Sequence, residues 1–508
     1  MIQKVKFLPK KDIDIPIEVC DHRFGAEMTF SHQTDSRLVT SIYAAELYGF
    51  KNNIRLGNFI TNVLGQNNSG IKDVENTGVI KHDIYFSTDS WLNPNTGVVE
   101  YIPDYYNLVW SSAGASFFNV IEGDVKISKF PNHGQQLFDL SNGVYGYDFS
   151  SNVSGSSNLA ELKGVSDKQQ EIINTLGKTT CAGSYRNGVR NAADLMPAYF
   201  LGMRNSAENH TGNSDTYYGS DLGNNTLGVT DVRQFFKNYP SSTRWWDTFT
   251  HGSVDKTVIS EYVVSEIQKT ILNKGWYRDF CHWHSLRNLD VLPELDEFLQ
   301  LVNTAFGNSF VWTCSNGEAL EYMFLRESVD KVLAKRIEGG KIFVLIDVID
   351  SFKNVIDING IDNTLHLKQL HTPLSVKIDL SNTNLSGKNV KSSFGKIRSL
   401  GNDVYIIQIP FNFKEDFKGV VLSEGNNGVF NEDIPIVQKD ISNNNMKIYT
   451  DIPTKAVLFR ATQGSAEYDF LPIARSNDFL GVHSFDYDSN YDYKIGVISE
   501  FGKTNLIN

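Results

Sequence analysis

The feature that most constrains the fold is a change of character at Gly340. Before it, stretches with apolar residues every three or four positions alternate with long polar segments. After it come KIFVLIDVI, LSVKIDLS, DVYIIQIPF, GVVLSE, IPIVQKDI, MKIYTDI and KAVLFRAT, short, β-branched and parted by Asn, Gly and Ser. Strands at that spacing with no helices between them predict an all-β sandwich over residues 340–465. A chain of 508 residues is too long for one core, so several domains are expected. Residues 466–508, with the run FDYDSNYDY, show no clear periodicity and read as a tail or arm.

The first half has a β-α-β rhythm. Residues 1–20 alternate apolar and polar and read as an extended lead-in. GAEMTFSH then reads as a strand, residues 35–49 as an amphipathic helix stopped at Gly49, and residues 54–59 as a further apolar run. That order is the unit of a parallel sheet or barrel. Residues 62–160 are rich in Asn, Ser and Gly and read as loops with short strands. Helical periodicity returns at 166–176, 188–203, 254–273, 289–306 and 317–336, with Val291, Leu295, Phe298, Leu299 and Val302 on one stripe.

Composition removes some partners. A net charge of −12 with no basic run argues against nucleic acid, whose phosphates require clustered Lys and Arg. The start, MIQKVKFLPKKDIDIPIEV, lacks the apolar core of a signal peptide, which predicts synthesis in the cytoplasm. The longest apolar run, 342–349, contains Asp347 and is too short to span a bilayer. Cys20, Cys181, Cys281 and Cys314 are scattered with no C-x-x-C pair, against a disulfide framework or a thiolate zinc site.

Residues 275–284, GWYRDFCHWH, concentrate the chemistry. Polar groups taken from water cost a few kcal/mol each unless paired, so this mixture is expensive to bury for packing alone. Trp276 and Trp283 beside imidazoles suit sugar faces, metals or both. His282 and His284, two apart, face the same side of a strand, where one can serve as ligand or general acid. The competing reading is two satisfied core or surface histidines. In TFSHQTDSRL, His32 and Asp35 fall just past a strand's carboxyl end, where parallel β/α sites are built; alternatively, Ser31 or Asp35 merely caps the helix. Asp148 and Asn152, four apart, are oxygen donors for a divalent cation if helical, and turn residues otherwise. Trp245 and Trp246 with His251 read either as a sugar-stacking platform or as core.

Read in order, these pieces resemble the polysaccharide deacetylases, metal-dependent carbohydrate esterases with a distorted (β/α) barrel. GAEMTFSHQTDSRLVTSIYAAELYGF is similar to that family's T-F-D-D-G segment and following helix. KQQEIINTLGKTTCAGSY, ending in Arg186-Asn187-Gly188, is similar to its "Gly-Lys, strand, Y-P-Y-G" segment, and YFLGMR to the motif that follows. GWYRDFCHWH resembles the late strand carrying a catalytic histidine, and VWTCSNGEALEYMFLR the closing strand and helix. The resemblance implies an α/β fold, a distorted (β/α) barrel over 21–338 followed by the all-β sandwich of 339–465. It implies Asp35 as general base and His282 or His284 as acid. His32, Asp148 and Asn152 become contacts of a zinc-like divalent metal, and Arg186, Trp245, Trp276 and Trp283 substrate contacts. The family's Asp pair falls here on Ser31 and His32, and no His pair stands at the family's metal-binding spacing.

Two functions follow. One is metal-assisted hydrolysis of N- or O-acetyl groups on a cell-surface polysaccharide. The other is a catalytically inactive carbohydrate-binding or structural component of a bacteriophage virion, a fibre or tail-associated protein. That protein is expected to form a homo-oligomer or to bind virion proteins through its C-terminal region.

Overall fold

The computed structural model describes residues 15–34, 39–60, 77–84, 90–92, 99–101, 182–184, 202–205, 237–240, 256–281, 292–348, 357–358, 361–362, 373–410, 418–426 and 432–508. The chain enters as β1 (Ile17–Val19) and passes through a tight loop at residues 22–26 into β2 (Met28–Thr34). Helix α1 (Val39–Asn52) carries it to β3 (Leu56–Ile60), which pairs parallel with β4 (Ile80–Ile84). Gly49, expected as the helix stop, lies inside α1. A Cβ there would sit 2.6 Å from a Val79 methyl, so the glycine admits the segment leading into β4. The helix ends instead at Asn53, with φ 55°, the left-handed conformation common just past a helix.

After α2 (Lys256–Leu272), β5 (Trp276–Cys281) pairs parallel with β2 along its length, from Trp276 beside Thr29 to Cys281 beside Thr34. Helix α3 (Leu292–Phe306) follows, and Leu295, Phe298, Leu299 and Val302 are each 0% exposed, the face expected from their spacing. Next, β6 (Val311–Thr313) pairs with the first residues of β2, on the side that β3 occupies further along. Helix α4 (Asn316–Glu327) opens with a capping box in which Ser315 and Glu318 satisfy each other's backbone N–H. Helix had been expected to continue to 336. At Val329 the pattern VDKVLAKRI changes from helical to alternating, and the chain becomes β7 (Val329–Ile337).

The expected α/β fold, a distorted (β/α) barrel, is corrected by this arrangement. The described residues are mostly strand, 48%, with four helices. Their parallel strands make half a barrel, and most of the other strands lie in antiparallel sheets. A closed barrel would need about one helix for every strand.

Two antiparallel four-stranded sheets share a core. One runs β7, β8 (Lys341–Val348), then β13 (Lys418–Glu424) and β10 (Val390–Ser392); the other runs β1, β9 (Leu374–Asp379), β12 (Val404–Ile409) and β11 (Arg398–Gly401). Ile342, Val344, Ile378, Ile407, Val420 and Leu422 meet there, joined by Trp276 and Trp312 from the parallel sheet. The last sheet contains β14 (Val437–Ser442), β15 (Asn445–Thr462), β16 (Leu471–Asp486), β17 (Tyr491–Ser499) and β18 (Thr504–Ile507). MKIYTDI and KAVLFRAT, read as two strands, form the single β15. Pro453 sits at its irregularity, where one neighbour changes from β14 to β17, a place that does not need its missing N–H.

Residues 466–508 contribute β16, β17 and β18 to this sheet. Val457, Phe459 and Ala461 on one face of β15 enter the core of α1, α2 and α3. Thr504 holds the end of α1, donating from its hydroxyl to Phe50 O at 3.0 Å and from its backbone to Asn53 Oδ1 at 2.8 Å. The Arg475 guanidinium binds both Glu46 carboxylate oxygens, at 2.5 and 2.7 Å, tying β16 to α1.

Candidate functional site

The carboxyl edge of the parallel sheet, where sequence reasoning placed a site, is only partly described. His32 is 0% exposed, its ring 5.3 Å from that of Phe298, with its Cα beside that of Asp279 in the strand register. Asp35, Asp148, Asn152, Arg186, Trp245, His282, Trp283 and His284 lie outside the described residues. The strand ends preceding Asp35 and His282 are adjacent, since Thr34 pairs with Cys281. Trp276, expected to contact substrate, is a core side chain: it is 0% exposed and its indole N–H donates to Ser31 Oγ at 2.9 Å. A strand covered on both faces leaves that ring no surface for a sugar.

Among the described residues, no three His, Cys, Asp or Glu side chains gather closely enough to hold a metal ion. His32, the one expected ligand among them, is enclosed against an aromatic ring. The other two expected ligands, Asp148 and Asn152, lie outside the described residues.

A cavity of about 170 Å³ opens elsewhere, beyond the amino ends of β3 and β4. Three parts of the molecule build it. The loop before β2 supplies Arg23 and Phe24, the parallel sheet supplies Arg55, Phe310 and Trp312, and the C-terminal sheet supplies Lys455, Phe479, Phe501 and Lys503. Phe24 and Phe501 come from turns, Phe310 from just before β6, and Phe479 from within β16. Phe24 has φ 59°, a left-handed conformation costly for a residue with a Cβ, and its N–H is held by Ser375 Oγ at 2.8 Å. Phe501 and Lys503 flank Gly502, whose φ of 86° closes the hairpin between β17 and β18.

The rings form a continuous wall. Phe501 lies 4.9 Å from Phe24 and 5.1 Å from Phe310, the latter pair stacked. Cations lie over them: Arg23 4.6 Å from Phe24, Lys503 5.4 Å from Phe310, and Lys455 5.2 Å from Phe479, which is 38% exposed. The lining contains the charged groups Arg23, Arg55, Lys455 and Lys503 against the single carboxylate Glu500. Burial lowers the pKa values of both Arg23 and Lys503, the direction desolvation gives any cation. Arg55 is fully engaged, donating to Gly78 O at 2.9 Å, Thr313 O at 3.0 Å and Glu318 Oε1 at 2.6 Å.

Sequence reasoning passed over this site. Its one local signal is a repeated device, Arg-Phe-Gly at 23–25 and Phe-Gly-Lys at 501–503, in which a glycine of positive φ turns an aromatic and a cation together. No protein-family model matches the chain, and no curated protein matches it.

Proposed function

We propose that this chain is a glycan-binding protein whose saccharide site is the cavity walled by Phe24, Phe310, Phe479 and Phe501. The observation that carries the reading is the joining of ring faces and side-chain donors around one concavity. A sugar presents apolar C–H faces and a rim of hydroxyls, so it needs stacking surface and directed donors together. The resemblance to carbohydrate esterases points to the same ligand class. Binding of this kind requires no metal and no titrating base.

Calorimetry with fragments of cell-surface polysaccharides tests the reading. At least one fragment should bind, and Phe479→Ala should weaken it about tenfold, the loss expected for one stacking contact of roughly 1.4 kcal/mol. A panel with no binder refutes it. A second reading, deacetylation at the carboxyl edge, draws on the pairing of β2 with β5 that brings Thr34 beside Cys281. Acetate released above background from acetylated fragments is its signature. Saccharide binding with acetate at background decides for a binding protein.

A further inference from the structure

The unsatisfied groups of this cavity are of one kind. Arg23 Nε and Trp312 Nε1 are buried, are both donors, and have no hydrogen-bond partner. Both residues line the cavity, with the guanidinium 5.9 Å from the Trp312 ring. Lys503 lines it too, half-buried and without an ion pair among the described residues. A desolvated donor or cation with nothing to receive it is unfavourable and rare in folded proteins.

Glu318 and Glu321, whose charges act on Arg23, and the nearby Glu432 and Glu500 are each already engaged. Glu318 accepts from Arg55 at 2.6 Å and from Ser315 N at 3.0 Å; Glu432 takes Arg398 at 2.6 and 3.1 Å; Glu500 pairs with Lys396. The loop presenting Arg23 is held in place at a cost, with Phe24 in the left-handed region and pinned by Ser375. Strain of this kind persists where the surrounding structure enforces it, commonly at binding sites.

We infer that Arg23, Trp312 and Lys503 form an oxyanion subsite, and that the saccharide taken by this cavity is acidic, bearing a carboxylate or a sulfate ester. The inference rests on the glycan-binding reading and narrows it. A guanidinium fork and an indole N–H match an oxygen-only acceptor, and an ammonium adds charge without a fixed direction. The ring of the same sugar stacks on Phe479, the exposed ring of the lining, while its acid group takes up the unpartnered donors.

The full chain is titrated by calorimetry with a neutral oligosaccharide, its uronate form, its O-sulfated form and sodium sulfate alone. The uronate or the sulfated form should bind at least tenfold more tightly than the neutral parent, and which of the two does so identifies the acid. Arg23→Gln and Lys503→Gln should each shrink that advantage to within about threefold. Thermal melts confirm that each variant is folded, and Lys503→Gln carries the test if Arg23→Gln is not. Equal affinity for neutral and acidic forms overturns the subsite and leaves glycan binding standing. Sulfate alone binding as tightly as the acidic saccharide overturns the saccharide assignment. Absence of binding by every saccharide overturns the glycan reading and this inference with it.

Discussion

Replacing Glu46 by Gln tests how the last forty residues are attached. Glu46 is 0% exposed in its side chain and Arg475 9%, and the guanidinium binds both carboxylate oxygens and Thr77 Oγ1 at 2.7 Å. The substitution keeps the shape and removes the Glu46 charge from beside a buried guanidinium. Removing one partner of a buried pair costs about 3–5 kcal/mol, against about 0.2–1 kcal/mol for an exposed one. Thr77 still accepts, so a loss of about 3 kcal/mol is expected. The double variant Glu46→Leu with Arg475→Met removes both desolvated charges and should return to within about 1 kcal/mol of the parent. Urea unfolding followed by tryptophan fluorescence measures all three. A loss under about 1 kcal/mol for Glu46→Gln, or a double variant no more stable than Glu46→Gln, would refute the reasoning.

Two further outcomes follow from the same packing. Neutral His22 donates from Nε2 to Lys274 O and accepts at Nδ1 from Thr29 Oγ1, both at 2.8 Å, and burial pushes its pKa down to about 4 from 6.5. The unfolded chain therefore takes up this proton as pH falls through 6.5 while the folded chain does not until about 4. Stability conferred by neutral His22 is complete above 6.5 and falls by about 3 kcal/mol across that window. The stability gap between the parent and His22→Asn should narrow accordingly from pH 7 to pH 4; a pH-independent gap would count against it. Gly496 lies against Phe50, whose ring carbons would be 2.7 Å from an added Cβ, so Gly496→Ala should cost about 1–3 kcal/mol, with Phe50→Leu restoring part of it on the same urea curves.

Local patterns were legible wherever one element's burial is set by its own periodicity. The stripe Leu295, Phe298, Leu299, Val302 predicts the inner face of α3, and the β-branched runs after 340 predict β8, β9, β12 and β13. Misreadings came where a local signal has two causes. Gly49 resembles a helix stop, yet it is there because Val79 needs the space. Trp276 resembles a binding platform, yet its strand lies between two covered faces. The run at 329–336 follows a strong helix, and only alternation in VDKVLAKRI marks the change.

Side-chain period decides on its own which residues turn inward, because the choice between helix and strand is settled within a few neighbours. That much belongs to the sequence: strand-rich antiparallel sheets late in the chain, and βαβ order early. The partner of each strand does not, because long-range pairing depends on surfaces that exist only after the layers form. Half of a barrel rather than a whole one, the docking of residues 471–507 on α1, and the cavity drawn from residues 23, 55, 310, 455, 479 and 503 were all decided at that level. Each of those segments by itself shows only a cation or a ring, and only their convergence makes a place where donors outnumber acceptors.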